Sequence, residues 1–183
     1  MAQFDASNTE CLIFTFKEGL LSAVAHDLKL RVTRFEISTR ELEPTGLSNS
    51  ASLQVSATAW CSSIQVVNAL KDGQETPAAL SDRDKQKIQA TMLDEVLESR
   101  RFPEVTLLGM AVKEPAGGYR LTGQLTLKGV SRPISVQIRE TPRGYGADLT
   151  LHQPDFGIKP YSAMLGALKL KPGITIRIET THP

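Results

Sequence analysis

Residues 123–133 read Gly-Gln-Leu-Thr-Leu-Lys-Gly-Val-Ser-Arg-Pro, and this stretch predicts a β-hairpin. Lys128-Gly129 supplies the turn, because glycine adopts positive φ without a steric penalty. Pro133 is expected at the entry of the second strand, where its missing N–H costs no ladder bond. Apolar residues alternate with polar ones on both sides of the turn, which is the period of a half-buried strand; they are Leu121, Leu125, Leu127, Ile134, Val136 and Ile138. One face of the hairpin is therefore apolar and needs something to pack on or to enclose.

The same alternation recurs along the chain and predicts about eight antiparallel strands. In the second strand the apolar parity changes after Thr33-Arg34, and a β-bulge is the economical way to change faces. Turns are predicted at Lys71-Asp72-Gly73 and Lys171-Pro172-Gly173, and a loop over 43–49, while residues 20–25 fit either a helical turn or an inner plug. Outside the hairpin, the strands are marked by Leu12, Phe14 and Phe16; Leu28, Leu30, Val32, Phe35 and Ile37; Leu53, Val55, Ala57 and Ala59; Val105 and Leu107; Leu149 and Leu151; and Ile174, Ile176 and Ile178.

One amphipathic helix interrupts the strands. Ser81 can cap its first turn together with Asp84, the residue three positions later. Apolar residues follow at spacings of three and four, and Phe102-Pro103 ends the pattern. The helix is expected to lie against the sheet or over one end of it.

Composition excludes several functional classes. The chain has 183 residues, enough for one domain over 1–183 with a substantial core. Its 21 basic and 20 acidic residues give a net charge of +1, so nothing in the charge balance favours nucleic acid. Cys11 and Cys61 are too far apart for a metal or redox motif. We see no signal peptide and no membrane-length apolar run, so a cytoplasmic location is expected, or a periplasmic one if a leader has been removed.

The strand pattern favours an all-β domain with a minor helix. Eight tilted strands can close into a barrel wide enough for one small apolar ligand, and closure removes exposed sheet edges. A sandwich also fits the alternation. We therefore predict an extended eight-stranded antiparallel lipocalin-like β-barrel, with the sandwich as the alternative.

Several motifs resemble those of the YceI-like family. They are Phe102-Pro103-Glu104-Val105-Thr106-Leu107, the hairpin 123–133, Asp155-Phe156-Gly157-Ile158 and the closing strand 174–179. The segment Ser81-Asp82-Arg83-Asp84 also stands near the family's Arg-Asp pair, and His26-Asp27-Leu28 looks like a cytoplasmic-type variant of its first motif. The resemblance implies a lipocalin-like, polyisoprenoid-binding barrel whose pore takes a polyprenyl chain or an isoprenoid quinone precursor.

With this resemblance, the apolar strand faces become candidate pore walls rather than a solid core, which most apolar stripes form. His26 and Arg132 are the candidates for a polar mouth, although Arg132 is more simply read as anchoring a turn through a carboxylate. The candidate ligand-binding residues are Phe14, Phe16, Leu30, Phe35, Trp60, Phe102, Val105, Leu125, Leu127, Ile134, Val136, Phe156 and Ile176.

No catalytic constellation is found. His26-Asp27 could belong to a metal site, but only His152 and His182 remain as further histidines, so a polar pair at a strand start is favoured. Asp155-Phe156-Gly157 lacks the accompanying kinase motifs and reads as a turn with Phe156 tucked inward. The two cysteines have no histidine placed to activate them.

We therefore expect a non-enzymatic protein without a metal or cofactor that sequesters or carries an isoprenoid or other long-chain lipid. Nucleic acid and stable membrane insertion are not expected, and a homodimer is left open. Two alternatives stand beside this hypothesis. One is an enzyme or stress-response factor with a polar site near His26 and Arg132, and the other is a filled barrel that binds a protein on its surface.

Overall fold

Antiparallel strands of the described chain form a single curled sheet, in keeping with the β-barrel prediction. The structure is a computed structural model that describes residues 1–18, 26–42, 52–163 and 168–180. The strands are β1 (Ala2–Asp5), β2 (Thr9–Glu18), β3 (Asp27–Val32), β4 (Phe35–Leu42), β5 (Ser52–Trp60), β6 (Ile64–Lys71), β7 (Gln74–Thr76), β8 (Glu104–Lys113), β9 (Tyr119–Leu127), β10 (Val130–Thr141), β11 (Gly144–His152), β12 (Ser162–Ala163) and β13 (Leu168–Thr180).

The neighbours in the sheet run β1-β4-β5-β8-β9-β10-β11-β13-β2-β3-β6-β7, and β12 adds to β13. The hairpin of residues 123–133 provides the β9–β10 pair near the centre of this order. Its turn residues Lys128 and Gly129 both have positive φ, 51° and 73°, although the sequence predicts this only for the glycine. Pro133 pairs with Gln124, and β10 pairs with β11 only from Ile138 onward. The proline is therefore not at the entry of β10, which begins at Val130, but inside the strand, where its other edge has no partner from β11.

The count of eight strands is wrong, and the largest error is at Thr33-Arg34. The sequence predicts one bulged strand there, but β3 and β4 are separate strands with different neighbours: β3 pairs with β2 and β6, and β4 with β1 and β5. The backbone N–H groups of Thr33 and Arg34 donate to Ser63, to its carbonyl at 3.1 Å and its hydroxyl at 3.0 Å. These bonds satisfy the backbone at a corner rather than at a bulge.

Two further predictions need correction. Lys171-Pro172-Gly173 is not a turn, because β13 continues through it with a register shift between Leu170 and Ile174. The turn at Asp72-Gly73 was predicted, but the β6–β7 hairpin around it was not. The prediction missed the hairpin because a register shift opposite Lys29 and Leu30 breaks the alternation along β6. Residues 20–25 and 43–49 lie outside the described residues, so those predictions have no counterpart here.

The predicted helix is confirmed as α1 (Asp82–Thr91), which continues into a π-helical turn, Met92–Val96. The Ser81 hydroxyl accepts a hydrogen bond from Asp84 N at 3.2 Å, and the Asp84 carboxylate accepts one from Ser81 N at 3.1 Å. Ile88 and Met92 pack against a core cluster of the sheet. Short 3₁₀ turns occupy Cys61–Ser63, Pro77–Ala79 and Gln153–Phe156. In the described part of the chain, no helix has the length and apolar character needed to cross a membrane.

The hairpin turn also secures the end of this helical segment. Lys128 Nζ donates to the Val96 carbonyl at 3.2 Å and forms an ion pair with Glu98 at 2.5 Å. A lysine is suited to this position, since carbonyls at a helix C-terminus have no partner within the helix. The central hairpin and the inserted helix are therefore joined directly.

Candidate ligand-binding cavity

The curled sheet encloses a cavity of about 500 Å³, and its wall follows β5 from Leu53 to Trp60, so the cavity is elongated along the strands. Most strands of the sheet contribute to its wall: β1, β2, β3, β4, β5, β6, β8, β9, β10, β11 and β13. Most of the wall is made of aliphatic and aromatic side chains. A volume of this size lies within the range of pockets that hold small organic ligands, roughly 300–1,000 Å³.

Small side chains leave this space open. Ala57, Ala59, Ala111 and Ala147 face the cavity, where other wall positions carry leucine, isoleucine or valine. Another part of the interior is filled: Leu127, Leu151, Phe156 and Ile158 form a buried cluster, and Val96 and Leu97 from the helical segment pack against it. We call these regions the hollow part and the filled part of the barrel.

A pair of opposed glycines lies in the wall of the cavity. Gly109 of β8 pairs directly with Gly123 of β9, and Gly123 separates Leu121 from Leu125, both of which line the cavity. A Cβ at Gly123 would collide with the Leu108 carbonyl, and one at Gly109 would lie 2.6 Å from the Thr122 carbonyl. The two strands therefore approach more closely than side chains allow, as at a bend in a barrel wall.

Polar groups collect at one end of the cavity. Thr9, Tyr119, Tyr145 and Thr180 lie at or next to strand ends that meet there, and Glu41 is the one charged residue among the described wall residues. The Tyr119 and Tyr145 rings are edge to face with centroids 6.0 Å apart. Burial, and next the neighbouring Tyr119, raise the pKa of the Tyr145 phenol above its ordinary value. The Tyr145 hydroxyl is therefore protonated at neutral pH and can donate a hydrogen bond.

Thr180 fastens this end of the sheet. Its hydroxyl accepts from Tyr145 N at 2.7 Å and lies 3.1 Å from the Arg143 carbonyl, to which it donates. The nearby Gly144 has a φ of 129°, and a Cβ there would collide with the same hydroxyl. The polar end of the cavity is therefore held by hydrogen bonds between the end of β13 and the β10–β11 turn.

Seven of the thirteen candidate ligand-binding residues line the cavity: Phe35, Trp60, Val105, Leu125, Ile134, Val136 and Ile176. Three others are buried elsewhere in the interior. Leu30 belongs to the cluster around Phe35, and Leu127 and Phe156 belong to the filled part. Phe156 is 3% exposed, so the prediction that it points inward from a turn is confirmed.

The remaining three candidates are placed differently from the prediction. Cys11 and Ile13 are the β2 residues on the cavity wall besides Thr9, so the alternation puts Phe14 and Phe16 on the opposite face. The Arg177 guanidinium lies 5.4 Å from the centroid of the Phe14 ring. Phe102 packs beside Gly129, where a Cβ would lie 2.9 Å from its ring.

Neither predicted mouth residue lines the cavity. Arg132 Nε donates to the backbone carbonyl of Asp155 at 2.8 Å, so it anchors the 3₁₀ turn of the filled part, through a carbonyl rather than the expected carboxylate. His26 is half-buried just before β3, and the Asp27 carboxylate accepts from Lys17 N at 2.8 Å. Within the described ranges, no three His, Cys, Asp or Glu side chains are grouped so that they could hold a metal ion.

Two wall residues that the sequence did not indicate as site residues are the cysteines. Cys11 and Cys61 are both buried, unpaired thiols that face the cavity. Burial, together with the nearby Glu10 carboxylate, raises the pKa of Cys11 to about 12, and burial also raises the pKa of Cys61. Both thiols are therefore protonated at neutral pH and act as small apolar parts of the wall.

Comparison with known proteins agrees with this architecture. The family model described as YceI-like domain matches residues 4–182. The chain belongs to the YceI-like family. A curated relative, the UPF0312 protein YE1254 of Yersinia enterocolitica, is 38% identical over 50 residues, which is 27% of this chain and only 26% of the relative.

Two solved structures share the fold of this YceI-like chain. Burkholderia cenocepacia BcnA has a TM-score of 0.62 at 14% identity, covering 96% of this chain and 99% of its own. A polyisoprenoid binding domain from Saccharophagus degradans, implicated in plant cell wall breakdown, has a TM-score of 0.53 at 12% identity, with coverage of 96% and 93%. At these identities the likeness concerns the fold.

Proposed function

We propose that the protein binds a long isoprenoid-type chain in the hollow part of the barrel and carries or sequesters it without chemical change. The observation that carries this proposal is the continuous apolar cavity of about 500 Å³. The solved fold relative from Saccharophagus degradans is described as a polyisoprenoid binding domain, and such a ligand suits an elongated apolar space. A polyprenyl chain and an isoprenoid quinone precursor both have the required shape.

The energetics favour a long chain over a short one. Each buried carbon contributes about 0.8 kcal/mol, so one five-carbon unit contributes roughly 3–4 kcal/mol. Association itself costs on the order of 4–15 kcal/mol, so several units must be buried before binding becomes tight. An elongated cavity can bury consecutive units of one chain, whereas a compact terpene would leave part of the wall uncovered.

The polar end suggests the orientation of the ligand. Hydroxyls of Thr9, Thr39, Tyr119 and Tyr145 face the cavity near strand ends, and the opposite interior is filled by the cluster around Phe156. We expect the head group at the Tyr119 end and the chain toward Trp60. A non-catalytic role is supported by the raised pKa of both cavity thiols and by the placement of His26 and Arg132 away from the wall.

Native mass spectrometry and a lipid titration test the proposal together. Purified protein should carry an extractable long-chain lipid, and after delipidation it should bind a long prenyl alcohol at least about tenfold more tightly than a short one, a difference of about 1.4 kcal/mol. Equal affinity for the two alcohols, or no binding of either, would contradict the proposal.

A further inference from the structure

The hollow part ends where it meets the filled part. Leu125 of β9 belongs to both, because it lines the cavity and is also a member of the buried cluster around Phe156. The next residue on the same face of β9, Leu127, is in that cluster and no longer in the cavity wall. On β11 the same change occurs between Leu149, which lines the cavity, and Leu151, which belongs to the cluster. We call Leu125 and Leu149 the floor of the cavity.

The region behind the floor is closely packed. Leu127, Phe156 and Ile158 are 8%, 3% and 2% exposed. Val96 and Leu97 of the helical segment pack against the same cluster from the other side. A chain that reaches the floor therefore meets buried side chains rather than a second opening.

The opposite end of the cavity is open to solvent. Met1 and Tyr145 line the wall there and are 87% and 38% exposed. Glu41, the charged wall residue, is exposed as well. We call this end the mouth. A chain can enter through the mouth and is stopped at the floor.

The distance from mouth to floor limits the length of the chain. On β9 the wall runs from Tyr119 to Leu125, which is about 20 Å along the strand at ~3.4 Å per residue. Because barrel strands tilt by roughly 35–45°, this is about 15 Å along the axis. A residue with three backbone bonds spans at most ~3.3–3.6 Å, so an isoprene unit, with about four bonds along the chain, covers roughly 4.5 Å. The length therefore fits between about three and four units.

The volume of the cavity gives a similar limit. An engineered protein cavity of about 150 Å³ holds benzene, so an apolar ligand takes about 25 Å³ per carbon. At this density, the cavity of about 500 Å³ holds about 20 carbons, or about four five-carbon units. Length and volume, which are independent quantities, lead to the same chain.

We propose that the hollow part is a blind-ended site for a prenyl chain of about four units, and that Leu125 determines how much of the chain is taken up. This inference rests on the proposed function and makes it more specific. A shorter chain leaves part of the wall uncovered, and a longer one leaves its remaining units outside the mouth. Each unit against the wall adds binding free energy in proportion to the apolar surface it buries, whereas a unit in solvent adds none.

Titration of the delipidated protein with prenyl alcohols tests the inference, with lengths from shorter than the cavity to about twice its length. Affinity should rise at least about tenfold with each unit up to about four units, and less than about threefold with each unit beyond. We call the length at which the rise stops the break point. Leu125→Ala removes about three carbons, or ~75 Å³, and should move the break point by about one unit toward longer chains.

Two further variants complete the test. Leu125→Phe adds about three carbons at the floor and should move the break point by about one unit toward shorter chains. The matched control is Leu127→Ala, the same truncation on the same strand behind the floor, which should keep the break point of the wild type. Circular dichroism checks that each variant is folded, and Leu125→Phe alone tests the floor if the alanine variant unfolds.

The outcomes separate this inference from the proposed function. A break point at the expected length that moves with Leu125 and not with Leu127 supports the inference. Affinity that rises up to the longest alcohol would overturn the blind end and leave the proposed function intact. A break point that ignores the Leu125 substitutions, or that moves equally in the Leu127 variant, would overturn the role of Leu125. Binding of no alcohol at any length would overturn the proposed function and the inference with it.

Discussion

The hollow and filled parts of the barrel are enclosed by the same strands but differ in what their inward residues occupy. In the filled part, Phe156 and Ile158 enter from a connection and complete a buried cluster with Leu127 and Leu151. In the hollow part, the inward residues include alanines and cysteines, whose side chains are too small to fill the interior. The difference shows that connections and the inserted helix decide where a barrel interior is solid, while the sheet alone leaves it open.

The largest effect is expected from emptying the filled part. Phe156→Ala should lower the free energy of unfolding by about 3–5 kcal/mol, because it removes a large side chain from a cluster that can close only partially. Urea denaturation measures this change. Ile138→Ala, in the wall of the existing cavity, should lower the free energy of unfolding by about 2 kcal/mol or less, the low end of the range for such truncations. Equal losses at the two sites would contradict the distinction between the parts.

The glycine pair in the cavity wall should give the next largest change in stability. Gly123→Ala places a methyl group against the Leu108 carbonyl and should lower the free energy of unfolding by about 1–3 kcal/mol, the usual range for overpacking. Thermal or urea unfolding reports the change. The matched control is Gly173→Ala, where no atom lies within 4 Å of the added Cβ, and it should change stability much less. A Gly123→Ala variant with an unchanged free energy of unfolding would mean that stability does not require the close approach of β8 and β9.

Filling the hollow part should separate binding from stability. Ala57 faces the cavity and has Ile37 and Leu107 as its cross-strand neighbours. Ala57→Phe should weaken binding of a long prenyl alcohol at least about tenfold, or about 1.4 kcal/mol. Its unfolding free energy should change by less than ~1 kcal/mol, because the ring enters existing space. Thr150→Phe, outside the barrel, is the control and should bind like the wild type; unchanged affinity in the Ala57 variant would argue for another site.

The smallest effect is expected on the charged outer surface. Burial alone would raise the pKa of Asp148, but hydrogen bonds from Arg177 and Arg139 outweigh it and hold the pKa below its ordinary 3.8. Because the native pKa is lower than the unfolded one, the stabilisation is complete above the ordinary value and is lost as pH falls through the native value. Asp148→Asn should therefore cost less than ~1 kcal/mol at neutral pH.

The pH profile checks this last prediction. In urea denaturation, the stability difference between wild type and Asp148→Asn should shrink toward zero in acid, while Glu36→Gln, an exposed carboxylate elsewhere on the sheet, should show little difference at any pH. A difference between wild type and the Asp148 variant that is constant down to strong acid would contradict the charge-based explanation.

Local sequence signals predicted most elements of the fold. The alternation on both sides of Lys128-Gly129 specified the β9–β10 hairpin, and Ser81 with Asp84 specified the start of α1. The errors arose where backbone pairing depends on distant residues. Thr33-Arg34 became a corner because Ser63, about thirty residues away, accepts hydrogen bonds from both residues and donates one to the Arg34 carbonyl.

The cavity wall was harder to predict than the strands. Alternation identified inward residues such as Leu125 and Val136, but it gave the wrong parity for β2, where Cys11 and Ile13 face the cavity instead of Phe14. The volume itself depends on residues that are small, such as Ala57 and Ala111, and a small residue gives no signal in a hydrophobic pattern. Only the three-dimensional arrangement shows that these positions border unfilled space.

Methyl NMR of the delipidated protein during titration with a long prenyl alcohol tests the account most directly. Chemical shifts should change for methyl groups of the hollow part, such as Ile37, Val55 and Leu121, and remain constant for Leu127, Leu151 and Ile158 in the filled part. Shift changes that are strongest in the filled part, or confined to Leu108 and Val112 on the outer face of β8, would contradict binding in the cavity.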